Sequence, residues 1–170
     1  MNPVLAQWNG LEERDAAQEI LPCCGSRQWA QTLARLRPFH DTANLLEGSD
    51  EVWAQLDPRD WDEAFASHPR IGEKKAPAGA TAKSGEWSSQ EQSGVERASE
   101  DVQERLRRGN EEYQRRFGRI YIVCATGKSA EEMLAILRRR LENDDTTELR
   151  EAAEQQRQIS RLRLRKWLGL

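Results

Sequence analysis

Two short segments of the chain carry the side chains best suited to moving a proton. His68 stands directly before Pro69, and Glu91 follows Ser88 in a Ser-x-x-Glu arrangement further along. Histidine changes its charge near neutral pH, and a neighbouring carboxylate favours its protonated form, so the two together suit general acid–base chemistry. Both segments also have a structural interpretation. His68 can be a surface residue at a helix end, and Ser88 with Glu91 is also the pattern of a helix capping box.

Nucleophiles, metal ligands and phosphate loops have weaker support. The three cysteines, Cys23, Cys24 and Cys124, are odd in number and include an adjacent pair, which fits neither a disulfide framework nor a zinc knuckle. Cys124 lies in an apolar run, where a thiol is usually inert. The chain has only two histidines, and Gly127-Lys128 lacks the glycine spacing of a phosphate loop. We therefore expect no metal site.

Composition and charge describe one folded domain with a densely charged surface. The 170 residues carry a net charge of -3, 37% of them are apolar and six are tryptophan. This length suits a single domain over residues 1–170, and the absence of a broad basic field disfavours a nucleic-acid partner. No apolar run could span a membrane and no signal peptide is visible, so we expect a cytoplasmic location. One basic stretch is interpreted as a solvated helix face: Arg157, Arg161, Arg163, Arg165 and Lys166.

The elements that must position these residues are predicted to be helices. Apolar residues recur at helical spacing before His68, with Ser26 as a cap, Pro58 at a helix start and an interruption near Gly48. After Glu91, Ser129 and Glu132 form a capping box. The pattern predicts an all-α bundle of about seven or eight helices without a sheet. The predicted helices cover residues 10–22, 26–37, 41–56, 58–66, 88–115, 129–143 and 147–167.

Two segments depart from helical periodicity. Residues 68–85 are rich in proline, glycine, alanine and lysine, which indicates a loop long enough to be functional. Residues 120–125 are β-branched and apolar, which is typical of a strand, but no second strand is predicted to pair with them. We therefore expect a short buried segment, extended or helical, among helices and ended by Gly127.

Taken in order, several motifs resemble those of one enzyme family. They are the segment SHPRIGE at residues 67–73, WSSQEQSG at 87–94, FGRIYIVCATGKS at 117–129 and the stretch from Met133 to Asn143. This combination closely resembles the 2-oxo-4-hydroxy-4-carboxy-5-ureidoimidazoline (OHCU) decarboxylases of the route from urate to allantoin. The resemblance covers about residues 10–165. Tyr121 stands where the family commonly has phenylalanine.

The resemblance implies an all-α homodimer that decarboxylates OHCU without a metal or organic cofactor. It implies that His68 donates the proton and that Glu91 assists. It further implies substrate contacts by Pro69, Ser88 and Gln92 and by the backbone of Ile122, Val123, Cys124 and Ala125. A cationic group also lies near the substrate in this family, and its candidates here are Lys128, Arg161 and Arg163.

Two alternative functions remain open at this point. The first is a helical adaptor without enzymatic activity that uses the basic C-terminal helix. The second is a decarboxylase or lyase for a related ureido acid. An adaptor would have no need to bring His68 and Glu91 together, whereas only substrate testing separates the second alternative. The sequence also leaves open whether Glu91 would orient His68, repel the substrate carboxylate, or do both.

Overall fold

The computed structural model describes residues 1–73, 77 and 80–170, and every regular element in this part of the chain is a helix. The all-α prediction is therefore confirmed. A 3₁₀ helix, Leu21–Cys23, follows the second α-helix. No helix of the described residues is long and apolar enough to cross a membrane. The ten α-helices found in these residues are α1 (Pro3–Asn9), α2 (Glu13–Ile20), α3 (Arg27–Arg35), α4 (Thr42–Gln55), α5 (Pro58–Ala66), α6 (Ala82–Glu91), α7 (Ser93–Glu96), α8 (Glu100–Phe117), α9 (Ala130–Arg140) and α10 (Asp145–Trp167).

The helix count exceeds the prediction for two reasons. Helix α1 was not predicted; Asn2 caps it by accepting hydrogen bonds from the second and third residues that follow. The single helix predicted over residues 88–115 is wrong, since α6, α7 and α8 occupy this region. The breaks fall near Gln92 and at Ser99, whose hydroxyl accepts from Val102 N and so starts α8.

The predicted loop is shorter than expected. It ends at Thr81, whose side chain accepts from Ser84 N and caps α6. Residues 74–76, 78 and 79 of the predicted loop lie outside the described residues. The interruption predicted near Gly48 is also wrong, because α4 is continuous there. Gly48 instead lies against a ring: a Cβ at this position would stand 2.8 Å from Phe39 Cε1.

Several predicted helix signals are confirmed. Ser26 caps α3 by accepting from Trp29 N, and Pro58 begins α5. Ser129 and Glu132 form the full capping box at α9, with the Ser129 hydroxyl accepting from Glu132 N and the Glu132 carboxylate accepting from Ser129 N. Local sequence signals thus determine where these helices begin.

The chain divides into two compact units. The first unit comprises residues 1–64 with 157–170, and the second comprises residues 65–156. In the first unit, Trp8 is almost fully buried, stacks on Phe39 and meets Trp167 edge to face. This aromatic cluster anchors the short helix α1 within the first unit.

The second unit contains His68 and Glu91, and it has its own hydrophobic core. This core combines α8 and α9 with the segment between them, and it includes Leu106, Tyr113, Met133 and Leu137. Gly109 allows the two helices to approach closely, since a Cβ there would stand 2.5 Å from Leu137 Cδ2. Close packing of α8 on α9 fixes the ends of the intervening segment, residues 118–129.

Residues 120–125 form a buried segment that is not helical, one of the two conformations expected from the sequence. Gly118 ends α8 in the left-handed conformation (φ +70°) and Gly127 turns the chain at φ +76°. Between them the side chains alternate: Tyr121, Val123 and Ala125 belong to the core of the second unit, while the residues between them are buried outside that core. Alternation with a period of two is the mark of an extended chain.

Candidate functional site

His68 lies two residues beyond α5 and is 9% exposed. Its Nε2 lies 2.7 Å from Gln156 Oε1 of α10. An amide oxygen only accepts hydrogen bonds, so in this arrangement Nε2 carries the hydrogen and donates it. The imidazole is therefore a buried group with a fixed orientation, and the interpretation of His68 as an exposed surface residue is wrong.

The turn that follows His68 is held by side chains from other elements. Asn110 Nδ2 of α8 donates to Ile71 O at 3.0 Å, and Gly72 N donates to Gln92 Oε1 at 2.9 Å. Gly72 has φ +90°, a conformation that other residues rarely adopt. Ile71 and Gly72 are thus held from α8 and from the residue that follows α6, three and four positions after His68.

Ser88 and Glu91 lie in the last part of α6 rather than at a helix start. Ser88 is buried, and Glu91 is half-buried and is the final residue of the helix. The capping-box interpretation is therefore wrong, because Thr81 caps this helix. A carboxylate gains nothing from the dipole at a helix C-terminus. Helix stability consequently gives no reason for a glutamate at this position.

The short helix α7, which follows α6, lies close to the turn that follows the extended segment. Gly94, in the short helix α7, would bring a Cβ to 2.9 Å from the backbone oxygen of Lys128. Only a residue without a side chain allows this approach. The chain just after α6 and the chain just after residues 120–125 therefore meet within the second unit.

One edge of the extended segment is bound by three side chains. Ile122 O accepts from Arg140 Nη1 at 2.6 Å, Cys124 N donates to Gln155 Oε1 at 2.9 Å, and Cys124 O accepts from Lys128 Nζ at 2.6 Å. In an extended chain the N–H and C=O of one residue point to one edge, and those of the next residue point to the other. The even-numbered residues 122 and 124 therefore face these three side chains.

The opposite edge presents the polar groups of the odd-numbered residues. Val123 N–H, Val123 C=O and Ala125 N–H have no hydrogen-bond partner among residues 1–73, 77 and 80–170. Val123 and Ala125 are each about 95% buried, and buried backbone groups are nearly always paired. This edge offers a donor, an acceptor and a donor in sequence, and it can bind a small amide-like or ureido-like molecule.

The three cationic candidates differ in their surroundings. Lys128 belongs to the second unit, as His68 does, and its ammonium donates to Cys124 O. Arg161 and Arg163 belong to the first unit. There Arg161 pairs with Asp50 at 2.8 Å, and the buried Arg163 donates to Pro22 O at 3.3 Å.

Metal-binding geometry is absent from the part of the chain that the structure describes: no cluster of three or more His, Cys, Asp or Glu side chains could hold an ion there. Buried thiols contribute little chemistry either. All three cysteines are buried and form no disulfide, and burial raises the pKa of Cys24 to about 12.

Sequence reasoning missed the polar side chains that organise this region. Gln156 and Arg140 hold His68 and the extended segment, yet neither was singled out. A signal was present: Gln156 follows Ala152 by four residues and precedes Ile159 by three, so it occupies the buried stripe of α10. A polar residue at a core position of an amphipathic helix indicates a buried hydrogen bond.

Comparisons with known proteins agree on one family. The family model described as OHCU decarboxylase matches residues 9–165. A uric acid degradation bifunctional protein of Arabidopsis thaliana is 32% identical over 144 residues, which cover 85% of this chain and 44% of that protein. The chain thus spans less than half the length of that relative.

Two further proteins match this chain over nearly their whole length. A 2-oxo-4-hydroxy-4-carboxy-5-ureidoimidazoline decarboxylase of Haloferax volcanii is 26% identical over 161 residues, covering 94% of this chain and 93% of that protein. A crystal structure of OHCU decarboxylase in the presence of (S)-allantoin has a TM-score of 0.76 and 31% identity, covering 89% of this chain and 98% of that one.

Proposed function

We propose that this chain, which belongs to the OHCU decarboxylase family, converts OHCU to (S)-allantoin and carbon dioxide in urate degradation. The bond between the carboxylate and the ring carbon breaks, and its electron pair passes into the adjacent imine and carbonyl. The hydroxyl on that carbon then becomes the carbonyl of allantoin, while a proton joins the neighbouring, ureido-bearing carbon from one face. Because the ring itself accepts the electrons, we expect no cofactor. The family match over residues 9–165 carries this proposal.

His68 is the proposed proton donor. It is buried, and its ring is oriented by the bond between Nε2 and Gln156 Oε1. A fixed general acid of this kind typically contributes about 10²–10⁴-fold to the rate. A fixed ring also delivers its proton to one face of the substrate, which the formation of a single enantiomer requires.

Glu91 is the proposed partner of His68. Its place at the end of α6, three residues before the close approach of Gly94 to Lys128, supports a role other than capping. A carboxylate there would favour the protonated imidazole or repel the substrate carboxylate towards cleavage. We predict that the side chains of His68 and Glu91 meet in one pocket, and a crystal structure with bound product would test this.

The substrate is proposed to lie along the odd-numbered edge of residues 122–125. The donor–acceptor–donor order of Val123 N–H, Val123 C=O and Ala125 N–H complements the amide and ureido groups of OHCU. Ser88 and Pro69 remain proposed contacts. Gln92 is proposed to act in part by holding the turn at Gly72, whose N–H donates to Gln92 Oε1. The cationic group near the substrate remains one of Lys128, Arg161 and Arg163.

The experiment that tests the reaction supplies freshly generated product of 5-hydroxyisourate hydrolysis. Circular dichroism then follows the appearance of optically active allantoin. We expect rapid formation of one enantiomer. A racemate that forms at the uncatalysed rate would overturn the assignment, and it would favour the alternative of a lyase for another ureido acid or of an adaptor without activity.

Variants test the two proposed roles. Glu91→Gln should reduce turnover by at least ~10-fold, because an amide neither stabilises a protonated imidazole nor repels a carboxylate. His68→Asn should lose more activity, because no proton donor remains. Glu86→Gln is the matched control, since Glu86 is exposed on the same helix. Wild-type turnover in Glu91→Gln would remove Glu91 from the mechanism. The homodimer and the cytoplasmic location also remain predictions, the first testable by light scattering.

A further inference from the structure

We propose that Arg140 is a positioning residue for this reaction: through the carbonyl of Ile122 it fixes the extended segment so that the opposite edge can bind the substrate. The inference rests on the proposed function. Arg140 touches neither the odd-numbered edge nor any group proposed to react. Its effect passes through the backbone of residues 122–125.

Arg140 is the last residue of α9 and is completely buried. Its guanidinium reaches two partners at once. Nη1 donates to Ile122 O at 2.6 Å, while Nε and Nη2 donate to Glu148 Oε1 at 2.9 and 2.5 Å. The guanidinium also lies 5.0 Å from the ring centre of Tyr121, the residue before Ile122. Only the planar fork of arginine serves partners in these separate directions.

Glu148 is equally buried and is itself held in place. It accepts from the phenol of Tyr113 and from Asn143 Nδ2 at 2.9 Å. Burial and the bond to Glu148 raise the pKa of Tyr113, so the phenol remains a donor. Burial alone would lower the pKa of Arg140, but the hydrogen bonds and charge of Glu148 raise it overall. Arg140 therefore keeps its charge, and its hydrogen bonds to Glu148 hold both side chains in place.

Packing and stability do not account for this ion pair. Burying two charges costs several kcal/mol each, and replacing such a pair by apolar residues is often neutral or stabilising. An apolar pair could fill the same space between α9 and α10. What it could not supply is a donor to Ile122 O, which leaves the orientation of the extended segment as the property that requires Arg140.

The other two contacts on this edge also hold the extended segment in place. Gln155 accepts from Cys124 N, and Lys128 donates to Cys124 O. Arg140 differs from both because it is rigidly held and fully buried, so it sets the position where the segment leaves the α8–α9 core. A shift of the segment by a fraction of an ångström would misalign Val123 N–H and Ala125 N–H with the substrate.

The test compares two double variants on the same pair of helices. Arg140→Met with Glu148→Gln removes both buried charges and keeps an amide oxygen that can accept from Tyr113 or Asn143. Arg139→Met with Glu151→Gln is the matched control, because Arg139 and Glu151 also pair across α9 and α10 but are partly exposed and do not touch the extended segment. Both are measured as the full chain, well below their melting temperatures.

The first readout is kinetic. We expect Arg140→Met/Glu148→Gln to raise KM for OHCU by about 5- to 100-fold, with a smaller change in kcat, because the backbone edge binds substrate before and during the reaction. The control should keep wild-type KM. Equal KM values for the two double variants and the wild type would overturn the proposal, since a residue that only supports folding leaves the kinetics of the folded enzyme unchanged.

The second readout does not depend on the reaction. Hydrogen–deuterium exchange of the peptide covering residues 120–126 should accelerate by about tenfold or more in Arg140→Met/Glu148→Gln. The control Arg139→Met/Glu151→Gln should exchange at the wild-type rate. If the wild type does not decarboxylate OHCU, the proposed function fails, and exchange still decides whether Arg140 fixes the segment. If the double variant does not fold, Arg140→Lys replaces it. Lysine keeps the charge beside Glu148 but lacks the planar fork whose separate nitrogens reach Ile122 O and Glu148. Unchanged exchange and KM in that variant would likewise refute the inference.

Discussion

Replacing Gln156 with leucine removes the amide oxygen that accepts from His68 Nε2. The two side chains have similar volume, and Gln156 is completely buried on α10, so leucine can occupy its place. The change leaves the Nε2–H of a buried imidazole without its acceptor, which costs about 1–3 kcal/mol of unfolding free energy. Urea titration of wild type and variant measures this loss.

The same bond holds the ring in the orientation from which it is proposed to donate. Each 1.36 kcal/mol of lost orientation energy lowers the rate tenfold, so a bond of about 1–3 kcal/mol predicts a fall in turnover of roughly 5- to 150-fold. Enantiomeric purity of the allantoin should fall as well. Gln158→Leu is the matched control, because a residue two positions along a helix faces nearly the opposite way.

The substitution Gln156→Glu is expected to shift the pH profile of activity. A carboxylate beside the imidazole would raise the pKa of His68, typically by about 1–3 units. A protonated donor is present below its pKa and is lost as pH rises through it. The alkaline limb of the activity profile should therefore move to higher pH in this variant. Wild-type turnover in Gln156→Leu together with an unmoved alkaline limb in Gln156→Glu would refute both the orienting role of Gln156 and the proton-donor role of His68.

Three further outcomes are expected. Gly94→Ala should lower unfolding free energy by about 1–3 kcal/mol in urea titration, because its Cβ would meet the backbone oxygen of Lys128 at 2.9 Å; unchanged stability would mean that α7 moves freely from this segment. Cys24, fully buried with a pKa raised to about 12, should not react with a thiol reagent at pH 8 until denaturant is added, and rapid labelling of the native chain would contradict its burial. Turnover should survive exhaustive chelation, so an activity lost with the chelator and restored by zinc would show that a metal takes part.

Much of the fold could be predicted because its signals are local. Ser26, Pro58 and the pair Ser129 and Glu132 mark helix starts through contacts within a few residues, which is why these predictions are confirmed. The helix predicted over 88–115 failed for two reasons. Its break at Ser99 is a local cap that the prediction passed over, whereas α7, which follows the break near Gln92, packs against the backbone of the distant Lys128, a contact that helix propensity does not contain.

The candidate site divides in the same way. The motifs around His68, Glu91 and residues 122–125 identify which residues carry chemistry, because their types and order stand in the sequence itself. They do not identify what holds those residues. Gln156 is 88 positions from His68, and Arg140 is 18 positions from Ile122. No local rule links residues so far apart.

The sequence by itself therefore determined the helical class, most helix starts, the non-helical segment after Gly118 and the choice of His68 as the candidate acid. Only the tertiary structure decided that Glu91 ends a helix instead of capping one, and that buried polar side chains fix both the imidazole and one edge of residues 122–125. The physical reason lies in how these properties arise. Caps and periodicity are satisfied within one or two helical turns, whereas a buried hydrogen bond exists only once packing has brought distant segments together and removed the water that would otherwise compete for it.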